Sequence, residues 1–240
     1  MVLKDDDVYI AQYVKGENTT VIHLKDLGPQ VDWQTVFLLE YLGPFMIHQL
    51  IFVFYSVYEY RSKKNMMVWA MLTLHYGKRI LESLFVHRFS HASMPLAGAL
   101  KNCTYYWGLG GVYLGLTCIL KVEAGWDIFD IIALISFLTF ESLNLAAHVK
   151  LRNLRPKGTR IRACPHGFPL FDLVACPNYF FELLAWIAFA LFVRTQYMAY
   201  GFAVLGGAQM AIWAVKKHAA YKYEFPTEYK AKYAMIPYVI

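Results

Sequence analysis

Charge is scarce in this chain. Asp, Glu, Lys and Arg make up 17% of its 240 residues and hydrophobic residues 58%, against about 25% and 45–50% in soluble domains. That balance excludes an ordinary soluble globule, and the surplus lies in long runs, as in a polytopic membrane protein. Cysteine is sparse too. Cys103, Cys118, Cys164 and Cys176 show no paired spacing of the zinc-site kind and read as free thiols. There is no Gly-rich phosphate loop and no room for a βαβ unit, which excludes a dinucleotide domain of the soluble type. The first 30 residues are polar and mixed in charge, so no cleavable signal peptide is visible. The net charge of +6 reads as a topology signal, and no nucleic-acid partner is expected.

What is present is a series of apolar segments. An all-α membrane protein of about six transmembrane helices is predicted, over Asp32–Tyr58, Asn65–Val86, Tyr105–Leu120, Trp126–His148, Tyr179–Phe192 and Met198–Val215. Residues 1–31 form a short soluble lead-in, with a strand over Thr19–Leu27, and residues 32–240 the membrane domain. Gly108, Gly110 and Gly111 permit close packing of the third span. Lys150–Phe168 is a long basic loop, and a polar tail runs from Lys216 to Lys232. The Lys/Arg bias places both termini and this loop in the cytosol, with Arg61, Lys63 and Lys64 as the exception.

The run from Leu173 to Glu182, LVACPNYFFE, is the focus of the chain. Pro177 suits a helix start, which puts Asn178, Tyr179 and Glu182 at the mouth of a membrane helix. Polar groups there are costly unless they bind something. Upstream, Lys150–Arg162 carries six basic residues and no acidic one. A polyanionic ligand on a cytosol-facing cavity is the expectation, with Arg152, Arg155, Lys157 and Arg160 as its contacts. Plain positive-inside topology explains the loop equally well.

The second span is unusually polar. His75, Lys78, Arg79 and Glu82 share one flank at helical spacing and are expected to pair with each other, with Tyr76 adjacent. Snorkelling of the Lys and Arg to lipid headgroups is the alternative. Glu40 is a lone carboxylate ahead of Gly43-Pro44, either buried as a hydrogen-bond donor or facing solvent at the interface. Asn144 and His148 share a face leading into the basic loop, an interfacial helix cap being the alternative reading of His148. No carboxylate completes a metal site with His87, His91 or His148, and none is expected. In the tail, Lys216, Lys217, His218 and Tyr221 either rest on anionic lipid or fold back as a lid. From these residues alone the chain reads as a membrane enzyme with a polyphosphate-bearing ligand, its reaction open.

Several ordered pieces resemble one family. They are His75-Tyr76-x-x-Arg79-x-x-Glu82, Leu84-Phe-Val-His-Arg-Phe-Ser-His91, Lys101-Asn-Cys-Thr-Tyr-Tyr-Trp107, Leu151-Arg-Asn-Leu-Arg-Pro156, Cys176-Pro-Asn-Tyr179 and the closing Ile-Pro-Tyr. Together they look like the trans-2,3-enoyl-CoA reductases of the steroid 5α-reductase superfamily. The resemblance implies NADPH-dependent reduction of the 2,3 double bond of a long-chain enoyl-CoA, the last step of fatty acid elongation. It implies Tyr179 as proton donor, Glu82 as a residue needed for activity, and Glu40 and Tyr76 as the pair holding the substrate carbonyl. Arg79, Asn144, His148, Arg152, Arg155, Asn178, Glu182, His218 and Tyr221 would surround the cofactor. It also implies a multi-pass protein of the endoplasmic reticulum membrane, a mitochondrial membrane being the alternative, with other elongation-cycle enzymes as partners. Residues 1–26 resemble the last part of a ubiquitin-like domain. Two rivals stand beside this reading: a steroid or polyprenal reductase, and a non-catalytic subunit serving as scaffold in a larger membrane assembly.

Overall fold

The computed structural model describes residues 28–58, 62–89, 92–123, 125–156, 159 and 163–240. The strand expected over Thr19–Leu27, the ubiquitin-like remnant containing it, and Arg61, His91, Lys157, Arg160 and Arg162 lie outside the described residues.

The described chain is all-α, with six helices and one short ribbon. Strand β1 (Gln30–Asp32) leads into α1 (Trp33–Tyr58), followed by α2 (Lys63–Phe85) and β2 (Ser93–Pro95). Next come α3 (Leu96–Cys103), α4 (Ile128–Leu154), α5 (Pro177–Val193) and α6 (Tyr197–Glu224). β1 and β2 pair antiparallel with Val31 opposite Met94, which brings the starts of α1 and α3 together. α1, α4 and α6 are long and apolar enough to cross a bilayer, and α5 is a shorter apolar helix. The polarity is turned inside out. Phe54, Phe129, Ile135 and Val204 are exposed, while Glu40, His75, Arg79, Glu82, Glu141, Asn144 and Asn178 are buried. Such a chain hides its polar groups from an apolar solvent.

Helix α3 starts directly after Pro95, earlier than the expected span, and runs on as wider π-helical turns over Thr104–Tyr113 and Gly115–Ile119. Runs of π-helix are rare and gather at functional sites. Small residues let α1 and this rod meet. A Cβ on Gly43 would lie 2.0 Å from Nε1 of Trp107, which donates to the Leu39 carbonyl at 2.8 Å. A Cβ on Gly110 would sit 2.6 Å from the Tyr76 hydroxyl. Gly108 differs from expectation: nothing lies within 4 Å of its would-be Cβ, so it mediates no close packing.

At one end of the bundle a buried ion pair joins three elements. Lys64 Nζ lies 2.9 Å from Asp130 Oδ1, and Arg194, just beyond α5, reaches the same oxygen at 3.0 Å. Asp127 and Asp130 form a reciprocal cap on α4, a device worth about 1 kcal/mol. The Asn65 amide donates to the Ile119 carbonyl at 2.6 Å, satisfying the end of the π-helical rod. Of the three cations in the charge exception, Lys64 is thus a neutralised interior group rather than a free loop cation. A cavity of about 180 Å³ lies here, lined by Lys64, Glu123, Trp126, Asp127 and Arg194 among others.

The other end is closed by the tail. Helix α6 continues beyond Val215 to Glu224 because no helix breaker intervenes. The chain then folds back, with the Ala175 amide donating to Tyr233 at 2.9 Å and that of Cys176 to Ala234 at 3.1 Å. Lys216, Lys217, His218 and Tyr221 therefore continue α6, and it is the segment after Glu224 that returns against the start of α5. Helix α4 likewise takes in Lys150–Leu154, which shortens the expected basic loop.

Candidate active site

The polar flank of α2 faces inward. Arg79 and Glu82 pair at 2.7 Å, and Lys78 lies 3.6 Å from Glu82, as their spacing predicts. His75 departs from expectation: its Nδ1 meets Glu141 Oε1 on α4 at 2.6 Å rather than Arg79. Lys78 also reaches α4, at 2.6 Å from Glu141 and 2.5 Å from the Asn144 carbonyl oxygen. Snorkelling is therefore excluded, since these cations are neutralised by carboxylates from two helices. Glu141 was not legible as a site residue, although positions 141, 144 and 148 share one face of α4 and all are buried.

Helix α5 closes the network. The Asn144 amide donates to the Asn178 carbonyl at 2.8 Å and lies 3.5 Å from Glu182. Glu182 is 3.9 Å from Arg79, whose other terminal nitrogen donates to the Tyr41 hydroxyl at 2.7 Å. The Asn178 amide donates to His148 Nε2 at 3.2 Å, and His148 Nδ1 stands 3.1 Å from Glu82 Oε1. His148 is thus an interior member of the network, and its cap reading falls away. Arg79 Nε remains buried without a partner.

Tyr179, the next residue, engages a different neighbour. Lys217 Nζ on α6 donates to its hydroxyl at 2.8 Å and stands 4.5 Å from the centre of its ring. Lys217 was legible only as a basic tail residue, because the length of α6 was underestimated. His218 and Tyr221 lie with the returning tail: His218 Nδ1 meets the Tyr229 hydroxyl at 2.7 Å, and the rings of Tyr221 and Tyr229 are 5.4 Å apart. Pro177 starts the helix, so Asn178 joins the ionic network while Tyr179 joins α6.

Glu40 is buried and accepts from the Asn102 amide at 2.8 Å, which selects the interior reading over the interfacial one. The Tyr76 hydroxyl is buried with no partner. No hydrogen bond links Glu40, Tyr76, Glu82 and Tyr179 to one another among the described residues. Arg88 donates to the carbonyls of Arg152 (3.1 Å) and Arg155, and Arg155 donates to that of Arg88. Three guanidinium-bearing residues are so gathered at the end of α4. Donor atoms of Glu82, His87 and His148 lie within 4.8 Å of one another, but the guanidinium of Arg79 against Glu82 opposes a cation there.

His87, just beyond α2, is held neutral. Burial is the main cause, with the nearby Arg79 guanidinium adding to it, and together they lower its pKa from 6.5 to about 2. Unfolding frees it to protonate near its ordinary value, so its contribution is complete above pH 6.5 and declines as pH falls below that. Stability in detergent is expected to fall by about 1.4 kcal/mol in total between pH 7.5 and 5.5, read as a lower thermal midpoint. His87→Phe, which keeps the ring contacts with Phe37 and Phe89, should flatten that dependence. An unchanged slope would place the titration elsewhere.

The profile of the family described as 3-oxo-5-alpha-steroid 4-dehydrogenase matches residues 92–240. A very-long-chain enoyl-CoA reductase of Dictyostelium discoideum is 38% identical over 243 residues, covering 99% of this chain and 79% of its own. A protein of Caenorhabditis elegans, named as a probable very-long-chain enoyl-CoA reductase, is 36% identical over 249 residues, covering 98% and 80%. The human protein named trans-2,3-enoyl-CoA reductase-like is 32% identical over 252 residues, covering 98% and 68%.

Proposed function

The chain belongs to the steroid 5α-reductase family, and from that membership we propose that it reduces the 2,3 double bond of long-chain trans-2-enoyl-CoA with NADPH, as the last step of fatty acid elongation. The observation that carries this reading is the division of labour at the start of α5, where Asn178 binds the ionic network and Tyr179 meets Lys217.

The donor set fits a phosphate-bearing dinucleotide. Arg79 offers a buried Nε without a hydrogen-bond partner among the described residues, and the backbone of Arg152 and Arg155 meets the Arg88 guanidinium at the end of α4, so three residues of the type best suited to phosphate lie together in the chain's fold there. With Asn144, His148, Asn178, Glu182, His218 and Tyr221 they would hold the cofactor. Bound NADPH would supply a hydride to the β carbon of the enoyl thioester, leaving an enolate whose α carbon takes up one proton. Because Lys217 donates to the Tyr179 oxygen, the hydrogen of that phenol is left free for delivery to the α carbon. Tyr76 and Glu40 hold the thioester oxygen where negative charge develops, the place where electrostatic stabilisation counts most. Glu82 orders Arg79 and His148 from between them.

The Lys/Arg bias supports a cytosolic position for this end of the bundle, and the family membership supports the endoplasmic reticulum membrane, with the site reached from a cytosol-facing cavity. Residues 32–240 constitute the reductase domain, and other elongation-cycle enzymes are its natural partners. The test is NADPH oxidation by the purified protein on a long-chain trans-2-enoyl-CoA, with formation of the saturated acyl-CoA. Turnover on that substrate and none on a 3-oxo-4-ene steroid is expected. A folded protein that neither binds NADPH nor reduces the thioester would be a scaffold.

A further inference from the structure

Among the described residues, two phenol hydroxyls in the interior have no hydrogen-bond partner. Tyr76 is fully buried on α2, and the hydroxyl of Tyr105, on the π-helical rod, is also buried. Leaving a buried polar group unsatisfied is destabilising, a cost that phenylalanine would not carry. Two such groups on one wall are candidate donors to a ligand oxygen.

The two share one wall. The rings of Tyr76, Trp186, Phe202 and Tyr105 follow one another at centroid separations of 6.2, 4.6 and 5.4 Å. Gly110 places the Tyr76 hydroxyl and the edge of Phe202 beside one another, since a Cβ there would meet them at 2.6 and 3.3 Å. Gly206 on α6 clears the same kind of space for Tyr105, whose hydroxyl would lie 3.2 Å from an added Cβ. Each hydroxyl is thus faced by a glycine, while Phe202 stacks on the Tyr105 ring and meets the same glycine as the Tyr76 hydroxyl. Glu40 accepts from Asn102 through one oxygen only, so its second oxygen, when protonated, can join the two hydroxyls.

We propose that Tyr105 is a specificity-determining residue that joins Tyr76 in donating a hydrogen bond to the carbonyl oxygen of an acyl thioester. The inference rests on the enoyl-CoA reading only for the class of ligand. A two-phenol clamp favours a ligand with an oxygen that can accept two hydrogen bonds at once, as a thioester carbonyl does, and most of all once that oxygen carries enolate charge. The aromatic wall formed by Trp186 and Phe202 borders the apolar atoms next to that carbonyl.

Equilibrium binding, without NADPH and without turnover, separates this role from the reductase reading. The probes are a long-chain trans-2-enoyl-CoA and the corresponding alkyl-CoA thioether, which has no carbonyl oxygen. Wild type is expected to bind the thioester about tenfold more tightly than the thioether. Tyr105→Phe, which keeps the stacking on Phe202, should lose about tenfold on the thioester and nothing on the thioether. In the Tyr76→Phe background the second substitution should cost less than it does alone, because the two act on one atom. Equal binding of both probes by wild type would overturn the proposal, and so would equal weakening of both in Tyr105→Phe. A protein that shows the thioester-specific loss but never oxidises NADPH would keep this inference and lose the reductase.

Discussion

Tyr179→Phe is expected to lower kcat by about 10²–10⁴-fold, the range removed with a general acid, while NADPH affinity stays within twofold. The substitution isolates one atom. Phenylalanine keeps the ring 4.5 Å beneath the Lys217 ammonium and beside Trp213, at 6.5 Å, so the local packing is retained. Asn178, the network member next in sequence, binds through its amide and its carbonyl and is untouched. Lys217→Met should also slow turnover, by a smaller factor, because it removes the donor that orients the phenol but leaves the acid in place. Lys217→Arg, which keeps a donor and a charge, should recover part of the loss. Stopped-flow measurement of NADPH oxidation, beside a fluorescence titration of NADPH, reads both quantities. Turnover surviving in Tyr179→Phe would move the proton donor to Tyr76 or Glu82.

The separation at the start of α5 has a physical origin. Two consecutive residues in a helix point about 100° apart, so Asn178 and Tyr179 cannot serve the same neighbour. One face reads the carboxylate–guanidinium network held by α2 and α4, and the other reads α6. A reaction that needs a cofactor gripped on one side and a proton delivered on the other suits this division. Glu182, four residues after Asn178, returns to the network side at 3.9 Å from Arg79.

Helix number, order and approximate bounds were legible because apolar runs of membrane length leave few alternatives. Partners across helices were not. His75 and Lys78 offered a satisfying local pairing with Arg79 and Glu82, yet Glu141, 66 residues from His75, captures both His75 and Lys78. Spacing along one helix carries no information on which other helix packs against it. Lys64 misled for the same reason: its charge counted as a loop cation until Asp130 was placed beside it. The π-helical winding from Thr104 was also invisible, since apolar residues on all sides give no period to read. Tail length failed at Val215 because hydropathy ends there while helix propensity continues through Lys216–Glu224.

Asp130→Asn is expected to destabilise the protein by about 3–5 kcal/mol, the cost of removing one partner from a buried ion pair, without altering turnover per folded molecule. Asp130 is 1% exposed and Lys64 3%, so water cannot replace the lost charge. The neutral side chain would leave Lys64 with the Gly125 carbonyl at 3.2 Å and the Phe192 ring at 5.3 Å, neither of which offsets a full charge. Arg194 also loses its contact with Asp130 but keeps Asp127 and is partly exposed, so it adds little. The effect should be confined to stability because α5, 17 residues long, sets this end roughly 25 Å from Tyr179. Lys64→Met with Asp130→Asn, which removes both charges and keeps the volume, should recover most of the loss. Thermal unfolding in detergent, with activity assayed below the lowest midpoint, reads both arms. A single variant as stable as wild type would mean that solvent reaches Lys64. A double variant no better than the single would mean that the pair holds the geometry of α2 against α4 rather than merely cancelling two buried charges.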